Sequence, residues 1–165
     1  MKNTPKLFRV FLDTSVLLSG LNSPFGASAF IISLFKLKKV IIVISPEVIL
    51  EAKLAVEKKF PKLSAILQDF LLSEPEIIEK LTPKEIQDAY KLIKSEDTPI
   101  LTAAVKSKPD YLITLDKRFQ KLAQSKVNFK ILTPGDFVKI YRQKNETRSS
   151  PEEEIKKQLK ELNNL

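Results

Sequence analysis

The stretch RVFLDTSVLLSG, residues 9–20, predicts a buried strand and places a charge where that strand ends. An apolar run at residues 10–12 is followed directly by Asp13, and the chain becomes apolar again after two hydroxyl residues. An ionised carboxylate at the end of a buried strand costs free energy unless a cation or hydrogen-bond donors stabilise it. Asp13 therefore indicates either a site that supplies such a partner or an N-cap for the segment that follows.

The composition excludes several kinds of catalytic site. The 165 residues contain no cysteine and no histidine, which removes disulfides, thiolates and imidazoles as bases, nucleophiles or metal ligands. Catalysis would depend on carboxylates, hydroxyls, lysines or a bound cofactor. A metal ion held by oxygen ligands alone is typically Mg²⁺, Mn²⁺ or Ca²⁺.

The net charge of +8 falls on residues 1–142, because basic and acidic residues balance in residues 143–165. This excess favours a polyanionic partner such as nucleic acid, although a lysine-rich surface that only confers solubility has the same composition. No run reaches the ~18 apolar residues of a membrane span, and residues 1–6 lack the pattern of a signal peptide. We expect a cytoplasmic protein with no membrane partner.

Apolar runs alternate with amphipathic segments along residues 7–142. The patterns predict strands at 6–12, 40–44, 76–79, 111–114 and 129–132. They predict helices at 27–39, 46–59, 61–72, 83–94, 97–106, 117–124 and 134–142, with N-caps at Ser45 and Thr82. The alternation is typical of an α/β/α sandwich with a central, mainly parallel sheet. We expect one domain at residues 1–142, followed by a polar linker and a C-terminal helical tail at residues 143–165.

Four acids stand out by their positions. Asp13 and Asp116 follow predicted buried strands, whereas Glu51 and Asp97 lie on predicted helices. Each has a simpler interpretation: a helix cap for Asp97, a turn residue for Asp116 and a solvated helix residue for Glu51. Taken together, several carboxylates at one edge of a parallel sheet repel one another unless cations lie between them. This set therefore points to hydrolysis assisted by Mg²⁺ or Mn²⁺.

Three motifs carry a resemblance to a known family: VFLDTSVLLSG at 10–20, SPEVILEAKLAV at 45–56 and SEDTPILTAAVKSKPDYLITLDKRF at 95–119. Over residues 7–142 the sequence resembles the PIN-domain ribonucleases, of the sort found as VapC-like toxins in prokaryotic toxin–antitoxin pairs. The resemblance implies a PIN-like fold and the hydrolysis of RNA. It also implies one or two Mg²⁺ or Mn²⁺ ions, a cognate antitoxin and a homodimer. The implied catalytic and metal-binding acids are Asp13, Glu51, Asp97 and Asp116.

The resemblance also implies supporting hydroxyls at Ser15 and Thr114, which would orient the carboxylates or a bound water. Ser15 stands where asparagine is most common in the family, which puts substrate contacts in question more than metal binding. Glu47 and Glu96 are the alternates should an acid on either helix be misassigned.

Three basic residues follow the last acid and are candidates to contact RNA: Lys117, Arg118 and Lys121. Their simpler interpretation is a solvated helix face. A different functional class also stays open, namely a PIN-fold RNA-binding or regulatory module without cleavage activity. A haloacid-dehalogenase-type phosphotransferase is disfavoured because Ser15 replaces the second aspartate that it needs. A flavodoxin-like signal receiver is disfavoured because its acceptor aspartate follows a middle strand.

Overall fold

The structure, a computed structural model, describes residues 6–146, with side chains for residues 6–145. Most of the predicted linker and all of the C-terminal tail lie outside these residues. The described strands are β1 (Phe8–Leu12), β2 (Val40–Ile44), β3 (Glu76–Ile77), β4 (Tyr111–Ile113) and β5 (Lys130–Leu132). The helices are α1 (Thr14–Asn22), α2 (Ala27–Lys36), α3 (Pro46–Lys59), α4 (Ser64–Leu72), α5 (Pro83–Leu92), α6 (Thr98–Ser107), α7 (Lys117–Gln124) and α8 (Pro134–Glu146).

The five strands form one sheet in the order β3-β2-β1-β4-β5, and every pair is parallel. The predicted α/β fold with a parallel sheet is therefore confirmed. The chain winds outward from β1 in one direction to β3, and β4 then joins the opposite side of β1. The carboxyl ends of β1 and β4 thus flank the switch point of the sheet, where folds of this type open a ligand-binding crevice.

Helices cover both faces of the sheet. Val10, Phe11 and Leu12 follow one another in β1, so their side chains alternate between the faces, and all three are fully buried. The same holds for Ile42 and Val43 of β2. The continuous apolar runs in the sequence are the signature of strands buried on both sides.

Both predicted N-caps are present. The Ser45 hydroxyl accepts a hydrogen bond from the Val48 amide at 3.2 Å. At α5, the Thr82 hydroxyl accepts from the Glu85 amide at 3.2 Å, while the Glu85 carboxylate accepts from the Thr82 amide at 2.7 Å. These contacts satisfy amides that the first turn of each helix leaves without partners.

Several helix assignments differ from the sequence-based prediction. The first three residues of the predicted helix 61–72 form a short 3₁₀ helix, Pro61–Leu63, and the bounds of α5 and α6 differ by one or two residues. Helix α1 is absent from that prediction, because the short apolar run at residues 16–18 does not distinguish strand from helix and Gly20 lowers the helix propensity of the segment. Helix α2 ends at Lys36 instead of residue 39, since Lys38 adopts a left-handed conformation with φ of 58°. Helix α8 continues to Glu146, four residues past the predicted end, so the first part of the predicted linker is helical.

Within residues 6–146, no single helix is both long and apolar enough to cross a membrane. Helices α1 and α2 reach the required length and composition only as a pair, and their axes differ by 87°.

Gly20 allows α1 and α2 to pack closely. A Cβ atom built at this position would lie 2.5 Å from Ile32 Cδ1 and 2.9 Å from the Ser28 carbonyl oxygen. The side chain of Ile32 can move, but the backbone of Ser28 belongs to the first turn of α2. A side chain at position 20 therefore forces the two helices apart.

We expect Gly20→Ala to lower the free energy of unfolding by about 1–3 kcal/mol, the usual cost of an overpacked contact. Gly135→Ala is the matched control, because a Cβ there meets nothing within 4 Å and alanine favours a helix by up to ~1 kcal/mol over glycine. Urea unfolding of both variants measures the difference. Equal midpoints for the two variants would show that the contact between α1 and α2 is not tight at Gly20.

Candidate acidic site

Asp13 and Asp116 lie at the switch point of the sheet. Asp13 follows β1, and its amide extends the pairing with β4 by donating to the Ile113 carbonyl at 3.0 Å. Thr114 follows β4, and its amide donates to the Leu132 carbonyl of β5 at 3.0 Å. The backbone of Asp13 and Thr114 is therefore fixed by the sheet itself.

The buried hydroxyl of Thr114 connects the two strand ends. Thr114 Oγ1 donates to Asp13 Oδ2 at 2.7 Å and accepts from the Asp116 amide at 3.0 Å. Ser15 Oγ donates to the same Asp13 oxygen at 2.9 Å. Thr114 has no exposed surface, and Asp13 is 9% exposed. The two hydroxyls that the sequence singled out thus orient the most buried acid of the site.

Glu51 reaches the same edge from helix α3, and Asp97 reaches it from the turn directly before α6, one residue outside the helix on which the sequence placed it. The Thr14 hydroxyl donates to Glu51 Oε2 at 2.6 Å, and the Ser95 hydroxyl lies 3.3 Å from Asp97 Oδ2. Partial loss of solvent raises the pKa of Glu51 and that of Asp97, and the nearby charge of Asp13 raises both further. Asp116 adds to the effect on Asp97. Glu51 and Asp97 therefore lie close enough to Asp13 to be repelled by its charge.

The simpler interpretations of the four acids, as helix caps, turn residues or solvated helix residues, hold for some of the acids and not for others. The side chains of Asp13 and Asp97 form no capping hydrogen bond with α1 or α6. Asp116 does act as an N-cap, because its Oδ1 accepts from the amides of Arg118 at 2.8 Å and Phe119 at 3.0 Å. Glu51 is exposed, but its carboxylate is held by Thr14 instead of extending freely into solvent.

A cleft of about 770 Å³ opens beside Asp97 and Asp116. Three cations also line it: Lys94, Arg118 and Lys121. None of these three forms an ion pair within residues 6–145. Lys117, the third basic residue predicted to flank a groove, is exposed but does not line this cleft. The cleft therefore brings two carboxylates of the set together with three cations that form no ion pair within residues 6–145.

The donor chemistry of the site fits a hard divalent cation. All four side chains offer carboxylate oxygens, the ligands that Mg²⁺ and Mn²⁺ prefer, and within residues 6–145 none of them forms an ion pair with lysine or arginine. In that part of the chain no three acids are arranged to hold one ion together. Binding through three of them therefore requires at least one carboxylate to rotate toward the others.

Sequence reasoning missed three residues of the site. Thr14 binds Glu51, Ser95 binds Asp97, and Lys94 lines the cleft. The signal for the hydroxyls was available, since each stands one or two residues before or after one of the four acids. The two alternate acids named from the sequence lie at different places. Glu96 lines the cleft beside Asp97, whereas Glu47 lines a different cavity.

Comparison with known sequences identifies one family. The sequence model of the PIN domain matches residues 9–118, which include all four acids. No curated protein sequence matches the chain significantly.

Solved structures of the same architecture come from bacteria and archaea. VapBC2 from Rickettsia felis, bound to a promoter DNA fragment, is 19% identical with a TM-score of 0.58, over 76% of this chain and 98% of that one. PAE2754 from Pyrobaculum aerophilum is 17% identical with a TM-score of 0.60, over 82% and 96%. VapC20 from Mycobacterium tuberculosis, a toxin that cleaves the sarcin–ricin loop, is 15% identical with a TM-score of 0.52, over 68% and 93%. At these identities the likeness establishes the fold.

We expect Thr114→Val to destabilise the protein more than Thr114→Ser. Valine leaves the Asp13 carboxylate short of one donor and the Asp116 amide without its acceptor, at a cost of about 1–3 kcal/mol for each unsatisfied group. Serine retains both contacts and loses one methyl group, worth about 0.8 kcal/mol. Urea unfolding in EDTA compares the two variants with the parent. A valine variant as stable as the serine variant would show that the hydroxyl does not hold the strand ends together.

We expect Asp97→Asn to raise the melting temperature by about 1–2 °C in EDTA at neutral pH. A carboxyl whose pKa is raised by folding is costly to keep ionised in the folded state, so its contribution worsens as the pH rises through that pKa. The effect is small because the group is partly solvated. Asp88→Asn is the control, since Asp88 is an exposed acid outside the four. Its Oδ1 lies 3.5 Å from Lys91 Nζ at the surface. A melting temperature that falls in Asp97→Asn would argue against repulsion among the acids.

Proposed function

The chain belongs to the PIN-domain family, and from this premise we propose that it is a ribonuclease that hydrolyses RNA phosphodiester bonds with the help of Mg²⁺ or Mn²⁺. The observation that carries the proposal is the convergence of four carboxylates, none of them paired with a cation in the described structure, at the switch point of the sheet. The cations that line the adjacent cleft support a polyanionic substrate.

The positions of the four acids suggest a different role for each. Asp13, fixed by two hydroxyls, and Asp116, whose cap engages only Oδ1, would hold the ion, with Asp97 as a further ligand or a partner through water. When bound, the ion lowers the pKa of the attacking water and offsets charge on the scissile phosphate. Glu51 would take a proton from that water or bind a second ion, because Thr14 engages only its Oε2.

The basic residues would guide and position the substrate. Arg118 and Lys121 belong to α7, which begins directly after Asp116. Lys94 precedes Asp97 by three residues and lines the same cleft. Arginine can bind phosphate through two parallel hydrogen bonds, whereas lysine acts as a point charge. The three residues together would hold the backbone of an RNA strand across the acids.

We further propose that the protein acts in the cytoplasm as the toxin of a toxin–antitoxin pair. Two of its structural neighbours are the VapBC2 complex and the VapC20 toxin, which supports a cognate antitoxin and RNA as the target. A homodimer belongs to the same proposal. An antitoxin segment with a basic side chain would be complementary to the acidic site.

We expect the purified protein to cut a mixed panel of RNAs with Mn²⁺ or Mg²⁺ and to leave them intact in EDTA. Asp13→Asn should lose about 100-fold or more of this activity, because one ligand of the ion is weakened. Asp88→Asn changes an exposed acid of α5 that is not one of the four, and this variant should retain parental activity. Gel analysis of the cleaved RNA gives the rates.

The same variants test the toxin role. Growth arrest on expression of the parent but not of Asp13→Asn would agree with a nuclease toxin. Cleavage that is unchanged in EDTA or in Asp13→Asn would contradict the metal-dependent mechanism. RNA binding without cleavage in any metal would favour the non-catalytic RNA-binding module instead.

A further inference from the structure

A second cavity, of about 1040 Å³, adjoins the acidic site. Its walls come from α5, from the segments directly before and after α5, and from one residue of α3. Two of its lining residues connect it to the acids. Glu47 lies one helical turn before Glu51 on α3, and Lys94 also lines the cleft that holds Asp97. The cleft and this cavity are therefore neighbours that share Lys94.

The walls of this cavity combine an apolar surface with an aromatic ring. Leu81 and Ile86 line it together with Tyr90, which is 48% exposed. Helix α5 has no buried residue along its whole length, so the exposed ring does not serve the core of the domain. Exposed aromatic rings beside a basic surface are the platforms on which unstacked nucleobases bind.

Charge around the cavity matches a nucleotide. Lys80, Lys91 and Lys94 line it against one carboxylate, Glu47. Lys80 and Lys94 form no ion pair within residues 6–145, and Lys91 has only a long surface contact with Asp88 at 3.5 Å. Cations at the rim and apolar walls inside suit a ligand with anionic phosphates and a flat uncharged ring.

The carboxylate of Glu47 lacks a partner. It accepts no hydrogen bond from any residue in the described range, and its Oε2 is sealed from solvent. A partly buried acceptor without a donor costs about 1–3 kcal/mol, so rotation of the Glu47 side chain toward a donor in the cavity would recover that cost. Base edges supply such donors as the amino groups of guanine, adenine and cytosine. Uracil presents only N3–H, flanked by two carbonyl oxygens that would face the carboxylate.

From these observations we propose that the cavity is a nucleobase-binding subsite, in which Tyr90 stacks on one base of the RNA next to the cleaved bond. In this subsite Glu47 selects bases that carry an amino group over uracil. The inference deepens the proposed function, since it assigns a substrate-reading role to a surface outside the four acids. The proposal makes Glu47 a specificity residue, although Glu47 lies on the same face of α3 as Glu51, one turn before it.

Binding of non-cleavable RNA tests the subsite without relying on catalysis. The probes are fluorescein-labelled 2′-O-methyl oligonucleotides in which every position is uracil except one, which is varied among the four bases. Their affinities are measured by anisotropy in EDTA for the parent, Tyr90→Ala, Tyr90→Phe and Glu47→Gln. Tyr90 and Glu47 are not in the core, and melting temperatures close to the parental value confirm that each variant is folded.

We expect the parent to bind an oligonucleotide with a central guanine about tenfold more tightly than one with uracil only. Tyr90→Ala should lose about tenfold in affinity, whereas Tyr90→Phe retains the stacking ring and binds as the parent does. Glu47→Gln should bind both oligonucleotides with similar affinity, because an amide also donates to the carbonyl oxygens of uracil. Parental affinity and base preference in both Tyr90→Ala and Glu47→Gln would overturn the inference.

The outcomes separate this inference from the proposed nuclease activity. Base-selective binding that depends on Tyr90 and Glu47, in a protein that cuts no RNA, supports the subsite and rejects the nuclease. Metal-dependent cleavage with no effect of either substitution on binding or on cleavage-site preference rejects the subsite alone. A changed sedimentation coefficient in Tyr90→Ala, with parental RNA binding, would assign the cavity to contact with a second copy of the chain and overturn the inference.

Discussion

The burial of β1 on both faces is the constraint on which the acidic site depends. Val10, Phe11 and Leu12 of β1 all lie in the core and exclude charge, because an ionised group there would lose its water without gaining a partner. The one charged residue of β1, Arg9, lies at its partly buried start, where it pairs with Glu76. Asp13 follows these residues directly and is only 9% exposed, but its carboxylate accepts hydrogen bonds from two hydroxyls, those of Ser15 and Thr114. Since β4 runs parallel to β1, its end brings Thr114 and Asp116 to the same edge. The topology thus gathers polar groups that are more than a hundred residues apart in sequence.

Hydroxyl groups make this gathering of charge possible in the folded chain. Thr14, Ser15, Ser95 and Thr114 each contact one of the four carboxylates. Such hydrogen bonds favour the ionised form and fix its orientation, and they leave the negative charge unneutralised. Loss of solvent and mutual repulsion win over them at Glu51 and Asp97, whose pKa values are raised. A cation bound among these carboxylates would relieve their repulsion, and that relief would add to its binding energy.

The distribution of lysine and arginine complements the acids. Cations that formed ion pairs with the four acids would stabilise the protein and close the site. Instead, Lys94, Arg118 and Lys121 lie beside the acids and remain unpaired in the described structure. The ion pairs that do form lie elsewhere, as between Lys106 and Glu85. Both kinds of charge are therefore available to a ligand, the acids to a metal ion and the cations to a phosphate backbone.

The sequence by itself determined the parallel sheet, most element boundaries and the four acids with two of their hydroxyls. These features are local: β-branched runs mark strands, Ser45 and Thr82 mark helix starts, and an acid after a buried run marks a strand end. Only the tertiary structure decided which of these residues meet. The hydrogen bond between Thr14 and Glu51, the role of Lys94 in joining two cavities and the unpartnered carboxylate of Glu47 all depend on how α1, α3 and α6 pack. Packing is a sum of many weak contacts between residues distant in sequence, and no local pattern of residues encodes it.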